Sequence, residues 1–312
     1  MRVTDSSEMF RTRDVSSWDL IRAETIGADE KYWLADPSDS SQWLFKANKI
    51  HRNSAGVWSQ REDFSEKVGG ELAAAMGLPC ARIEFARHGE ELGCISLNLC
   101  PEGWELQTGL VVLDGLLDDY EPGYLLANKA RRGHSLENIR RALDGHGPPP
   151  GASLPGDFDA FDVFVGYLVF DAVVANRDRH DENWAVMRPP TGCGNATLAG
   201  SFDHARALGS TLREARMAAL LGRGLQSWVE KGTAWRFGHD PALACPTLVQ
   251  VASEALRMVA PDVRERWLGS VADITAAKVV DVTSRIPNMS EVVGTFIEQV
   301  VMTNRRRVLD GC

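Results

Sequence analysis

The sequence contains no apolar run approaching the about 20 residues that a membrane-crossing helix needs. Its first residues, MRVTDSSEMFRTRD, hold no apolar core like that of a signal peptide. The expectation is a soluble, cytoplasmic protein with no membrane partner. Cysteine is sparse: Cys80, Cys94, Cys100, Cys193, Cys245 and Cys312 form no C-x-x-C pair and no zinc-ligand spacing, which reads as free thiols in a reducing compartment. Excess positive charge is also missing. Against 43 acidic residues stand 34 basic ones, for a net charge of −9, which argues against a broad nucleic-acid-binding face. The runs Arg131-Arg132 and Arg305-Arg306-Arg307 are short and read as solvated surface. No internal repeat and no low-complexity tract occurs. What remains is ordinary globular composition, 44% hydrophobic and 25% charged over 312 residues, with room for a large core and two lobes.

Taken in order, residues 1 to 20 are polar and read as an arm or irregular lead-in. Tyr32-Trp33-Leu34 and Trp43-Leu44-Phe45 are aromatic-rich and strand-like. DPSDSSQ between them supplies turn residues, so the spacing predicts a β-hairpin, with a looser turn, IGADEK, in front. Lys46 ends the second strand. Residues 62–77 place Phe64, Val68, Leu72, Ala75 and Met76 at helical spacing and close on Gly77. Strands follow at 81–87 and 92–99 around HGEE. The first hundred residues therefore read as a small antiparallel sheet carrying one helix, with CPEGWELQTG as a hinge. Beyond it the chain reads as mostly helical. Phe158, Phe161, Val165, Leu168, Val169, Ala172 and Val173 share one face of a buried helix. Helical segments are expected again at 211–225, 241–259, 263–274 and 290–303.

The chemistry concentrates just after that buried helix. NRDRHDEN at 176–183 lies between it and the strand-like WAVM, and a second apolar strand ends on Asp203. Through a tight loop, Asp178 and Asn183 can flank one small site, and Asp203 can reach it across the hairpin. Asn183 and Asp203 then offer oxygen ligands to a hard cation such as Mg²⁺. Asp178 is free to orient a hydroxyl or take its proton, and His180 braces the loop. That layout suits phosphoryl transfer, which needs positioned metal, a cation on the phosphates and an oriented acceptor. Lys46 fits that cation, and Glu66 fits the acid that holds it.

These pieces resemble the HipA-like protein kinases: WLFK ending at Lys46, Glu66 ahead of LAAAMGL, GCISLNL at 93–99, DRHDEN at 178–183 and FDHARALG from Phe202. The D-R-H-x-x-N loop also resembles that of phosphatidylinositol kinases. The resemblance spans most of residues 27–209. It implies a two-lobed α+β kinase-like fold, with a first lobe over 1–100 and a helical second lobe over 101–312. It implies ATP and Mg²⁺ as cofactors, Asp178 and His180 in the catalytic loop, and Asn183 and Asp203 on the metal. It further implies Lys46 and Glu66 at the phosphates, Gly27 in the phosphate loop, and Leu97 and Leu99 near the adenine. The implied reaction is transfer to Ser or Thr of a protein, with an antitoxin-like regulatory partner and no direct contact with nucleic acid. Two departures stand out. The phosphate loop has the single Gly27, and the expectation is a chain shorter than the best-known relatives, without their extra N-terminal segment.

Three other readings compete. A kinase fold can bind nucleotide without turnover. The acceptor can be a lipid or small molecule. The His180-Asp181 pair, with His134 and Asp203-His204, also suits an HD-type metal phosphohydrolase, although that reading leaves Lys46, Glu66 and the first sheet unexplained.

Overall fold

In the computed structural model, residues 8–24, 31–53, 56–122 and 131–312 are described. Gly27, read as part of a phosphate loop, lies outside them. The first lobe contains strands β1 (Thr12–Asp14), β2 (Asp19–Glu24), β3 (Lys31–Ala35), β4 (Gln42–Ala47), β5 (Lys49–Asn53) and β6 (Gly56–Gln60). Helix α1 (Glu62–Ala75) and strands β7 (Ile83–His88) and β8 (Glu91–Leu97) complete it. One sheet has the order β1-β7-β8-β4-β3-β2; β1 joins β7 in parallel and the other pairs are antiparallel. The β3–β4 turn is tied as its Asp and Ser residues suggest. Asp36 N–H bonds the Ser41 carbonyl (2.9 Å), and Asp36 Oδ1 accepts from Ser38 N–H (2.9 Å).

Strand alternation splits this sheet into two chemistries. Val15, Leu34, Trp43, Phe45 and Ile95 cluster on its outer face. Register places Lys31 opposite Lys46, Lys46 opposite Cys94, Trp33 opposite Leu44, and Leu44 opposite Ser96, on the other face. From residue 8 onward the lead-in is not an arm. β1 extends the sheet, and Val15 is fully buried beneath it. The hairpin β5–β6, which aromatic clustering does not mark, forms a separate two-stranded ribbon.

The second lobe runs β9 (Glu105–Thr108), α2 (Gly109–Leu116), α3 (Leu136–Ala142), α4 (Ala160–Val174), β10 (Ala185–Arg188) and β11 (Thr197–Leu198). It continues with α5 (Glu214–Gly222), α6 (Leu225–Glu230), α7 (Leu248–Arg257), α8 (Pro261–Ala272), α9 (Ala276–Ser284) and α10 (Glu291–Gly311). The expected helix over 211–225 breaks at Gly224, whose φ of 105° starts α6. The segment 276–284 is an additional helix. No helix among the described residues is long and apolar enough to cross a membrane.

Helix α4 organises this lobe. Its start is fixed by a reciprocal capping box between Asp159 and Asp162, and nearly every residue in it is buried. Gly166 admits the Trp267 indole of α8: a Cβ there would lie 2.6 Å from that ring. Phe64, Val68 and Leu72 of α1 belong to the same hydrophobic cluster as Phe161, Phe164 and Trp267. One core thus runs through both lobes, and α1 is anchored against the helical one.

Candidate active site

The loop after α4 begins with Ala175 in the left-handed region (φ 55°), and Asn176 N–H returns to the Asp171 carbonyl (2.8 Å). Asp171 is a buried carboxylate in the apolar last turns of that helix, so it requires a partner. Arg179 supplies one: its Nε and Nη2 each lie 2.8 Å from a different Asp171 oxygen. Nη2 also donates to Ser201 Oγ (3.0 Å), and Nη1 donates to the carbonyls of Asn183 (2.7 Å) and Phe202 (3.5 Å). Arg179 therefore staples α4, the loop and the strand leading to Asp203 at one point. Behind it, Tyr120 donates its hydroxyl proton to Asp181.

Asn183 donates its Nδ2 hydrogen to the Asp178 carbonyl (2.8 Å). The Asn183 Oδ1 is thereby turned away and accepts no hydrogen bond among the described residues. His180 accepts the Glu182 amide hydrogen on Nδ1 (3.2 Å), and burial pushes its pKa down. It makes a local brace within the loop.

Asp203 has φ 58°, a left-handed conformation that Asp tolerates better than most side chains. Its Oδ2 lies 3.2 Å from Lys46 Nζ and 4.0 Å from Lys31 Nζ. Lys46 also donates to Glu66 Oε1 (2.8 Å), and Glu66 Oε2 accepts the His204 amide hydrogen (2.9 Å). Glu66 is 1% exposed. Burial disfavours the Lys46 charge, but Asp203 and Glu66 outweigh it and hold the pKa above that of an ordinary lysine. Burial likewise opposes the Asp203 charge. Lys46 and Lys31 overcome it and hold this carboxyl well below the usual range.

Lys46, Glu66 and Asp203 thus form one connected network, and Asp178 and Asn183 form a second. Arg179 joins them. Leu99 packs with Cys94 and Phe202 on the Lys46 side of the sheet. Leu97 does not: its side chain packs on the outer face with Trp43 and Val15. Trp33 and Leu44, in the row beside Lys31 and Lys46, offer the apolar surface expected of Leu97. Lys31 carries no signal of its own in the sequence, although a hairpin closing Ala35 on Gln42 places it opposite Lys46. Arg179 was hidden as one more charge in a polar loop, with Asp171 as its only signal.

The phosphohydrolase reading fails on this geometry. His134 bonds the Arg236 carbonyl through Nδ1 (2.8 Å) and accepts from Trp184 Nε1 on Nε2 (3.1 Å). His204 is buried with Nε2 on Ser201 Oγ (2.8 Å). Both His134 ring nitrogens are thus taken, and His204 is tied to Ser201 rather than turned to a metal shared with His180. His180, Asp181 and Glu182 do lie within mutual ligand distance, but Asp181 is committed to Tyr120.

No family model matches the sequence, and no curated protein matches it. Among solved structures, the chain is similar to the proinflammatory kinase CtkA of Helicobacter pylori, with a TM-score of 0.71 at 15% identity over 96% of each chain. It also aligns with Shewanella oneidensis HipA, solved with HipB and operator DNA, at a TM-score of 0.43 and 13% identity over 97% of this chain and 70% of that one. A third alignment is with the Leishmania major MAP kinase LmaMPK10, at 0.30 and 11% over 95% and 82%. The last two are too remote for argument. The similarity to CtkA, end to end, shows that this sheet lobe and helical lobe make a kinase-like fold.

Proposed function

We propose that this protein is an ATP- and Mg²⁺-dependent kinase that transfers a γ-phosphoryl group to a hydroxyl, specifically Ser or Thr of a protein. The observation that carries the reading is the placement of Lys46 between Glu66 and Asp203, with the Asp178–Asn183 loop tied to the same strand by Arg179. A phosphoryl transfer site needs this combination: a fixed cation, oxygen ligands for metal and a carboxylate for the acceptor.

The donor set fits Mg²⁺. Asp203 and the outward Asn183 Oδ1 are both hard oxygen ligands, and Asn183 is fixed in that sense by its bond to the Asp178 carbonyl. Asn183 and Asp203 would hold the ion, which supplies charge neutralisation across the phosphates when bound. Lys46, kept charged by its two carboxylates, would contact the phosphates, and Lys31 adds a second cation beside it. Trp33, Leu44 and Leu99 line the sheet face on which an adenine would rest. Asp178 takes the acceptor's proton. A cytoplasmic setting agrees with six free cysteines. A regulatory protein partner rests on the family resemblance alone.

The test is transfer from γ-labelled ATP to protein acceptors, with Asp178→Ala as control and analysis of which residues carry label. The expected result is label on Ser or Thr, of acceptor or of the protein itself, abolished in the variant. Transfer only to lipid or to a small molecule would reassign the acceptor. Nucleotide binding with no transfer to any of them would leave a binding protein.

A further inference from the structure

Arg236 is 58 residues from Asp178 in the chain and meets it directly. Its Nη2 and Nε lie 2.6 and 2.8 Å from the same Asp178 oxygen, Oδ1. Asp178 Oδ2 accepts no hydrogen bond among the described residues. Both side chains keep about a fifth of their surface open, 20% and 21%, so Oδ2 is not sealed off.

This arginine is held in place from every side. Its guanidinium lies 3.9 Å from the Trp235 ring centroid. Its carbonyl accepts from His134 Nδ1, and Gly238 N–H bonds the His134 carbonyl (2.8 Å). Ala234 N–H bonds the Pro246 carbonyl (2.8 Å). His134 in turn is anchored to Trp184, the residue after Asn183. On the other side, Arg177 donates to the Thr233 hydroxyl (2.9 Å). Segment 233–238 is therefore stitched to the catalytic loop before Asp178, at Asp178 and just past Asn183.

We propose that Arg236 is a positioning residue for the phosphoryl acceptor: it occupies one oxygen of Asp178 and so presents the other to the acceptor hydroxyl. The inference rests on the kinase reading. In the step it serves, Oδ2 takes the hydroxyl proton while the acceptor oxygen bonds to the γ-phosphorus. The bond from that phosphorus to the β–γ bridging oxygen breaks, and its electron pair leaves with ADP. The proton then passes from Asp178 to solvent. Arg236 makes and breaks no covalent bond. It removes the rotational freedom of the carboxylate, and fixed orientation is where such sites gain rate.

The experiment compares wild type, Arg236→Ala and Arg236→Lys in the full chain, with the acceptor identified by labelling. It reads kcat, acceptor KM and MgATP affinity, the last as a check that each variant folds. Expected is a fall in kcat of about 10- to 100-fold for Arg236→Ala, with MgATP affinity within about twofold of wild type. Arg236→Lys should retain more activity, and millimolar guanidinium ion should partly restore Arg236→Ala. In an Asp178→Asn background, Arg236→Ala should cost nothing further. An unchanged kcat overturns the proposal. A raised kcat also overturns it, because the guanidinium is then a plug. Equal losses of kcat and MgATP affinity would show a merely structural role. A wild type that binds no ATP or transfers nothing overturns the kinase reading and this inference with it, whereas a wild type matched by Arg236→Ala overturns the inference alone.

Discussion

Arg179 and Asp171 are each 2% exposed, and their charges leave water together only because six hydrogen bonds surround them, the sixth from Asn176 Nδ2 to Asp171 Oδ1. Removing one partner strands the other. Arg179→Ala is expected to destabilise the fold by ~3–5 kcal/mol, read by urea unfolding; a change under about 1 kcal/mol would show that the pair is not a staple. Lys46→Met is expected to abolish turnover while leaving the core intact, since the Lys46 ammonium pairs with the Glu66 and Asp203 carboxylates at the cleft. Phosphoryl transfer at a wild-type rate in that variant would remove Lys46 from the phosphates. The residue types at Asp178, Asn183, Asp203, Lys46 and Glu66 were legible because each has an expected neighbour in sequence: a loop, a strand end, a helix. Lys31, Arg179 and Arg236 were not. Their partners are chosen by the fold, 172, 8 and 58 residues away, and no local pattern separates such a basic residue from a solvated one.

At the scale of elements, α1 was readable from the three- and four-residue spacing of its apolar residues, and α4 from an apolar stretch too long for a strand, as befits a helix buried on nearly all sides. β1 was not, because three residues, Thr-Arg-Asp, carry no alternation, and their strand exists only through pairing with β7. Contacts between elements set the next two predictions. Gly166→Ala would ordinarily strengthen a helix by up to ~1 kcal/mol. In α4 the new methyl would meet Trp267 at 2.6 Å and Leu78 at 2.8 Å, and overpacking costs ~1–3 kcal/mol. The packing term wins, and the variant should unfold at lower urea; a stabilised variant would show that α8 can shift away. His134 joins the 233–238 segment to Trp184 as a neutral imidazole, and burial pushes its pKa down to about 4 despite the nearby Asp181, with Arg236 and His180 adding to the shift. The unfolded chain, with a histidine near pH 6.5, therefore binds more protons between those values. Its contribution is present above pH 6.5 and is lost as pH falls towards 4, on the order of 3 kcal/mol. His134→Gln should flatten that part of the stability–pH curve. An unchanged slope would place the titration elsewhere.

At the scale of the molecule, the sheet lobe and helical lobe share one core through α1, and Glu66 of that helix touches both Lys46 and the amide of His204. A ligand bridging Lys46 and Asp203 therefore ties together parts that the core already couples. Nucleotide at 100 times its Kd should raise the unfolding free energy by about 2.7 kcal/mol. The two-lobed kinase-like architecture could be anticipated from the order of elements, whereas the single continuous core could not, because nothing in the 62–77 pattern says which lobe its apolar face will meet. The central claim is that Lys46, Asn183 and Asp203 form a metal–nucleotide site. Calorimetry of ATP binding with and without Mg²⁺, on wild type and Asp203→Ala, tests it most directly. The account predicts Mg²⁺-dependent binding by wild type and loss of that dependence in the variant. No nucleotide binding by wild type, with metal or without, would contradict it.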